Sequence, residues 1–316
     1  VGSKRIKIDD FEPAFGENVL LEIKVARLAS GTEIKLPIYI FRGNTDGPVV
    51  LLSGGLHGDE SNGIEIVRRM IRQKYLDHPL CGTIIAMPII NIFGFLNFSR
   101  AVPDGKDVNR SFPGNKNGSL ASMVAYIMTN KILPLVDIGI DYHTGGAYRT
   151  NWPQTRFDPE DDQAKHLSDV FAAPFSMQSK LIKNSLRWQA SSMNIPLLVF
   201  EGGESMRNDE FAIQTGIEGT MRVLKNLGMV ENSESPGESF QIAESHWIRA
   251  KKSGMFRAIK KSGQKVEKGD LLGMVNDPFN VYESPVKSQY SGYIIGHNNI
   301  PVVHKGDALF HIGIPA

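Results

Sequence analysis

An imidazole and a carboxylate stand three residues apart at His57 and Glu60, inside the stretch GPVVLLSGGLHGDESNGIEIVRRMI at 47–71. The β-branched run 49–52 reads as a strand and Ser53-Gly54-Gly55 as a tight turn. Ile64, Val67, Met70 and Ile71 then form the apolar face of a helix. Residues i and i+3 at a helix start share a face, so both side chains can reach one point. His143 ends another apolar run, and catalytic zinc takes three ligands from histidine and carboxylate while keeping a position open. His57, Glu60 and His143 are therefore the candidate ligands of one zinc ion per chain. Asp141, two residues earlier on the same side of its strand, is placed to orient His143.

Two further groups could complete a reaction centre. Glu201 directly follows the apolar run 195–200, where an unpartnered carboxylate is costly. A glutamate there, with raised proton affinity beside an activated water, would act as general base and then general acid. In DVNRSFPG at 107–114, Asn109 and Arg110 form a partly buried pair suited to a substrate carboxylate, which guanidinium grips in bidentate fashion. Arg100, at the start of the same loop, would set a second positive charge near a scissile carbonyl.

The elements that must position these groups alternate. Residues 18–41 read as a β-hairpin around Ala29-Ser30-Gly31-Thr32, followed by strand 49–53 and helix 61–75. A strand over 83–90, a long ordered loop at 97–118 and a helix over 119–133 that stops before Pro134 come next. Strand 135–142 leads to His143, polar loops around Trp152-Pro153 follow, and helical segments are expected near 160–171 and 182–193. The last helix runs from 209 to 227, with Gly228 as its C′ residue. Strands alternating with helices predict an α/β domain with a mainly parallel, mixed sheet covered by helices on both faces. Ligands in such sheets sit beyond the carboxyl ends of strands, where His57, His143 and Glu201 would converge.

The pattern changes after the polar linker ENSESPGES at 231–239. Residues 240–316 lack a helical period and contain a repeat: Ser253-Gly254 precedes VEKGD at 266–270, and Ser291-Gly292 precedes VHKGD at 303–307. We read 1–230 as the catalytic domain and 240–316 as a small all-β domain resembling the biotinyl/lipoyl sandwich. The tip where that fold carries its modified lysine is here Asp277-Pro278-Phe279-Asn280, which argues against a carrier role.

Composition bounds the rest. The chain has 316 residues, 41% hydrophobic and 22% charged, with a formal net charge of +1, which favours neither nucleic acid nor a membrane surface as partner. The single cysteine, Cys81, excludes an internal disulfide and reads as a buried structural thiol. Neither a membrane-length apolar run nor a signal-peptide pattern is seen, so a cytoplasmic protein is expected. No serine-nucleophile elbow or phosphate-binding glycine loop occurs. His78, His166, His246, His297, His304 and His311 read as structural or surface residues, His246 being the one nearest the linker.

Taken together, HGDE at 57–60, DVNRSFPG at 107–114, DYHTGG at 141–146 and FEGG at 200–203 resemble the succinylglutamate desuccinylase/aspartoacylase family of the zinc carboxypeptidase clan. The passage RTNWP at 149–153 is similar to its bacterial deacylase-like branch. The resemblance implies zinc held by His57, Glu60 and His143, with Glu201 as catalytic carboxylate and Arg100 polarising the substrate carbonyl. It assigns Asn109 and Arg110 to the carboxylate of an N-acyl amino acid. It also implies a C-terminal domain that narrows access to the site, which weighs against the nearest rival, a carboxypeptidase acting on peptides. A second rival is a non-catalytic metal-binding sensor or interaction protein. The acyl group, the amino acid and any homo-oligomer are left open.

Overall fold

A computed structural model describes residues 5–27, 30–279 and 281–316. Two expected tips therefore fall partly outside the described residues, Ala29 in the first hairpin and Asn280 in the C-terminal one. The chain opens with β1 (Asn18–Arg27), β2 (Glu33–Arg42), β3 (Val49–Gly54), α1 (Ser61–Arg72), β4 (Thr83–Met87), α2 (Ile92–Leu96) and α3 (Leu120–Ile127). Then come β5 (Ile138–Gly145), β6 (Arg149–Phe157), α4 (Asp162–Phe171), β7 (Phe175–Gln178), α5 (Leu186–Ser192), β8 (Leu197–Glu204) and α6 (Glu210–Asn226). The remainder is all β: β9 (Phe240–Arg249), β10 (Gly254–Ala258), β11 (Lys265–Val266), β12 (Leu271–Asn276), β13 (Glu283–Lys287), β14 (Gly292–Asn298), β15 (Val302–Val303) and β16 (Ala308–Pro315).

One mixed sheet of 12 strands runs β1-β2-β4-β3-β5-β8-β6-β7-β9-β16-β14-β11, with β14 also pairing β6. Parallel pairing is confined to β4-β3-β5-β8 and β6-β7-β9, so the sheet as a whole is less parallel than the apolar runs suggest. Those runs mark strands buried on both faces, which here occupy only its centre. Helices do cover both faces. One core gathers α2, α3, α5 and the β1-β2 hairpin, and the other gathers α1, α4 and α6.

Several expected elements differ in extent. The regular part of α3 ends at Ile127 and the chain continues through a wider turn, Met128–Ile132, into a 3-10 turn, Leu133–Leu135. Pro134 thus sits inside helical backbone, at a first-turn position where its missing N–H is harmless. The polar stretch around Trp152-Pro153 is strand β6, not loop. Its register against β8 breaks between Asn151 and Gln154, and that irregularity absorbs the proline. β7 and α2 were not legible in the pattern, being only 4 and 5 residues long. Cys81 is partly exposed rather than buried, its Sγ lying 3.5 Å from the Gly228 carbonyl oxygen. Gly228 follows α6 with φ +71°, as a C′ glycine should.

In the C-terminal region the sequence repeat becomes reciprocal pairing. β11 from the first copy joins β14 of the second, while β15 of the second joins β10 of the first. A four-stranded sheet, β13-β12-β10-β15, packs against β9, β11, β14 and β16 around one apolar core. The other strands continue the large sheet through β7–β9 and β6–β14. Among the described residues no helix is long and apolar enough to cross a membrane.

Glycine sets how closely α1 approaches the sheet. A Cβ on Gly63 would lie 2.4 Å from the Tyr142 carbonyl oxygen of β5, and one on Gly54 would lie 2.6 Å from the Gly63 carbonyl oxygen. Buried Asn62 adds polar ties, its amide donating to the Glu204 carbonyl at 3.2 Å and its oxygen accepting from the Asp209 N–H at 2.8 Å. This contact fixes the turn at 57–60 against His143. Replacing Gly63→Ala should lift α1 from the sheet and cost about 1–3 kcal/mol, the usual range for overpacking. Urea denaturation checks it, and an unchanged midpoint would mean that the close approach is not needed.

Candidate metal centre and catalytic cavity

His57 and Glu60 lie in the turn between β3 and α1, not on the helix itself. Glu60 is the N-cap residue, and its N–H reaches the His57 carbonyl at 3.3 Å. The turn therefore supplies the convergence that the i, i+3 spacing anticipates. His143 lies within β5, which continues to Gly145, and Glu201 lies within β8, which continues to Glu204, so neither residue ends its strand. Pairing of β8 with β6 extends the edge past the apolar run. In register, Ser53 stands beside Asp141, and His143 stands beside Glu201.

The three candidate ligands are almost fully buried, at 2% exposure for His57, 2% for Glu60 and 6% for His143, and their ligand atoms lie within 4.8 Å of one another. His57 Nδ1 is 2.7 Å from Glu60 Oε1, and His143 Nδ1 is 2.8 Å from Glu60 Oε2. The outer ring nitrogens face other carboxylates. His143 Nε2 is 2.8 Å from Asp141 Oδ2, and His57 Nε2 is 3.4 Å from Asp107 Oδ1. Asp141 is fixed in turn by the Ser53 hydroxyl at 2.7 Å.

This donor set tests whether a divalent cation fits. Carboxylates at Nε2 favour the tautomer with its proton there, leaving the Nδ1 lone pairs of both histidines aimed at Glu60, itself only an acceptor. Acceptors turned on one another require a cation or added protons between them. The proton affinities carry the same signature. Burial disfavours charge on both imidazoles, yet Glu60 with Asp107 raises His57, and Asp141 with Glu60 raises His143 well above its ordinary value. Burial would likewise raise Glu60, but the two imidazoles hold it well below the usual carboxylate range. Two imidazoles and one carboxylate, oriented by outer carboxylates, match a catalytic zinc site.

A cavity of about 420 Å³ opens above this cluster, and every residue assigned from the sequence lines it: His57, Glu60, His143, Asp141, Glu201, Arg100, Asn109 and Arg110. Arg100 is half-exposed. Its Nη1 lies 3.3 Å from His57 Nδ1 and 3.4 Å from Glu60 Oε1, while Asp107 holds its Nε at 3.0 Å. Asn109 accepts the Leu186 N–H at 2.8 Å. Arg110 is exposed, not partly buried as expected, because it sits at the end of a short surface turn and folds onto the Asn109 carbonyl at 2.6 Å. Glu201 is not unpartnered: Arg156 Nη1 lies 3.2 Å from its Oε1, and the Asn151 amide donates to its Oε2 at 2.5 Å.

Sequence reasoning missed four groups. Asp107 bridges Arg100, His57 and the Asn109 N–H, at 2.7 Å for the last, and its carboxyl is held low by His57 and Arg100 against the effect of burial. Arg149, Arg156 and Arg187 also line the cavity. Each has a buried guanidinium nitrogen without a hydrogen-bond partner: Nε of Arg149, Nε of Arg156 and Nη1 of Arg187. Burial, then the nearby Arg156, lowers the proton affinity of Arg187. The arginine doublet RxxxxxxR at 149–156 was the available signal, obscured by reading that stretch as loop. Among the described residues, none lining the cavity comes after Glu201; the C-terminal region meets the lining from outside, where the Arg149 guanidinium lies 5.8 Å from the Trp247 ring centroid. The six remaining histidines also stay outside it; His246 stacks on Tyr290 with ring centroids 3.9 Å apart.

The model of the succinylglutamate desuccinylase/aspartoacylase catalytic domain family matches residues 46–227, and the chain belongs to that family. A relative, the N-alpha-acetyl-L-2,4-diaminobutyric acid deacetylase of Halomonas elongata, is 25% identical over 319 residues, spanning 95% of this chain and 92% of its own. A succinylglutamate desuccinylase/aspartoacylase from Rhodobacter sphaeroides has a similar structure, with a TM-score of 0.84 at 24% identity over 99% of this chain and 100% of that one. The product-bound ectoine utilization protein EutE (DoeB) from Ruegeria pomeroyi gives a TM-score of 0.85 at 22% identity over 99% of each chain. At these identities the solved structures establish the shared fold.

Asp141→Asn tests the outer carboxylate. An amide can present its N–H to Nε2 and reverse the His143 tautomer, so zinc affinity should fall about 10- to 100-fold. Competition with a chelator measures it; undiminished affinity would detach Asp141 from the centre.

Proposed function

We propose that this member of the family is a zinc-dependent hydrolase that removes the acyl group from an N-acyl amino acid. The observation carrying this reading is the convergence of His57, Glu60 and His143 on one point, with Glu201 beside His143 in the β5–β8 register and all four facing one cavity. His57, Glu60 and His143 would hold the zinc ion. Zinc bound there would supply Lewis acidity, making water nucleophilic near neutral pH and polarising the amide carbonyl.

The chain's own residues do the rest. Glu201 takes the proton from the attacking water and delivers it to the departing amine, so a single carboxylate serves as base and then acid. Arg100, steered by Asp107, donates to the carbonyl oxygen as negative charge develops. Asn109 and Arg110 hold the α-carboxylate, which makes the attack effectively intramolecular. The named substrate of the Halomonas relative supports an acyl amide of an amino acid as the bond cleaved. The wall here favours an additional anion: Arg149, Arg156 and Arg187 line it together, and a free side-chain ammonium there would face three guanidiniums, with Glu201 already ion-paired to Arg156. An exopeptidase would use the same machinery, and a compact arginine-lined cavity suits a small acidic amide better than a peptide.

Glu201→Gln should keep one zinc per chain and lose about 10²- to 10⁴-fold in kcat, the span of general acid–base catalysis. Near-normal turnover, read alongside metal analysis, would remove Glu201 from the reaction. Across a panel of N-acetyl and N-succinyl amino acids, kcat/KM should be highest where the acyl group or the side chain carries a second carboxylate. It should be lowest for N-acetyl-diaminobutyrate and for tripeptides. A preference for the cationic side chain would overturn the role given to the three arginines.

A further inference from the structure

The hydrogen-bond donor and the ion-pair partner of the Glu201 carboxylate come from one strand. Asn151 and Arg156 lie on β6, either side of the Trp152-Pro153 irregularity. Asn151 stands opposite Gly203 in register, and its amide reaches back to Glu201 Oε2. The first part of β6 is gripped on its other edge by β14 of the C-terminal region, with Asn151 beside Gly296, Thr150 beside His297 and Arg149 beside Asn298. The Ser262 hydroxyl donates to the Thr150 carbonyl at 3.0 Å, and the Asn299 amide donates to the Thr150 hydroxyl at 2.8 Å. The Asn299 N–H adds a bond to the Tyr148 carbonyl at 3.0 Å.

Gly296 supplies the decisive contact. A Cβ there would fall 2.8 Å from Asn151 Oδ1, while the other end of the same amide is committed to Glu201. The amide thus lies between a bare glycine and the carboxylate, and added bulk at Gly296 must shift the same amide that holds Glu201. The C-terminal region contributes nothing to the cavity wall among the described residues, so its route to the chemistry runs through this strand.

We propose that Asn151 is a positioning residue for Glu201, and that the C-terminal β-region acts on catalysis by clamping it through β14 and Gly296. The inference rests on Glu201 being the base. It gives the C-terminal region a role different from gating: it fixes the carboxylate's orientation, so that the lone pair receiving the water's proton points where substrate is held.

The test is a double-mutant cycle on the full-length zinc-loaded enzyme, using the best N-acyl amino acid from the panel. Asn151→Ala and Gly296→Ala should each lower kcat about 10- to 100-fold, as misplacement by about an ångström does. KM should stay within about threefold if the carboxylate-binding groups are untouched. Zinc should stay at one per chain and the melting temperature near that of the parent. In a Glu201→Gln background neither substitution should reduce the residual rate further, because the group they position is gone. Parent-like kcat in Asn151→Ala, with Glu201→Gln inactive, would overturn this inference alone. Losses that multiply in the Glu201→Gln background would also overturn it, showing a general structural effect. Near-normal turnover in Glu201→Gln would instead remove the base, and this inference with it. Parent-like kcat in Gly296→Ala would overturn the clamp; should that variant fail to fold, Asn299→Ala, which removes the amide bond to Thr150, replaces it in the cycle with the same expected loss, and parent-like kcat there would overturn the clamp.

Discussion

Three buried ligand groups turned toward one another, two imidazoles and a carboxylate, form the constraint on which the rest of this molecule depends. Two imidazole nitrogens and the Glu60 carboxylate meet at distances near 2.7–2.8 Å, and Asp141 and Asp107 back the imidazoles from behind. In an interior of low dielectric such a cluster is unstable without positive charge at its centre. The donor set fits a divalent cation, and Arg100 stands at its rim. The surrounding structure can be understood as what brings these three groups to one point and keeps them there.

Backbone contacts do most of that holding. Gly63 lets α1 ride directly on β5, so the turn carrying His57 and Glu60 is locked to the strand carrying His143. Parallel register across β3, β5 and β8 then lays Ser53 beside Asp141, and His143 beside Glu201. Side chains on neighbouring strands of a central sheet have little freedom to wander, and preorganisation of that kind is what a polar reaction centre requires.

The arginines divide into two sets with different partners. Arg100 is tied to Asp107 next to the cluster, whereas Arg149, Arg156 and Arg187 gather on the side of β6 and α5 with buried N–H groups to spare. Unsatisfied buried donors are costly in a folded protein and mark a place where an anionic ligand completes the hydrogen bonding. Glu201 belongs with the second set, ion-paired to Arg156 and held by Asn151, both on β6. The C-terminal region enters the chemistry here, by pairing with β6 through β14.

Much of the site was legible in the chain. The apolar runs that precede His57, His143 and Glu201 are long enough to bury a strand, and a polar residue after such a run must lie near a strand's end in an α/β sheet. The family motifs then tied Asn109, Arg110 and Arg100 to the same place, and all of them line the cavity. β6 was illegible because its polarity reflects two unusual surroundings: one flank faces the cavity, and its first residues pair with a strand more than 140 positions later. Periodicity reports only whether a residue meets solvent or core, and Arg149, Asn151 and Arg156 are each half-buried, the last two against the Glu201 carboxylate. Local composition and spacing thus picked out three residues that meet at the buried cluster, the α/β order of the first part and the change to β structure after residue 239. Tertiary structure alone decided what holds Glu201, what backs His57 and which arginines share the cavity, because each of those contacts joins residues that no local pattern relates.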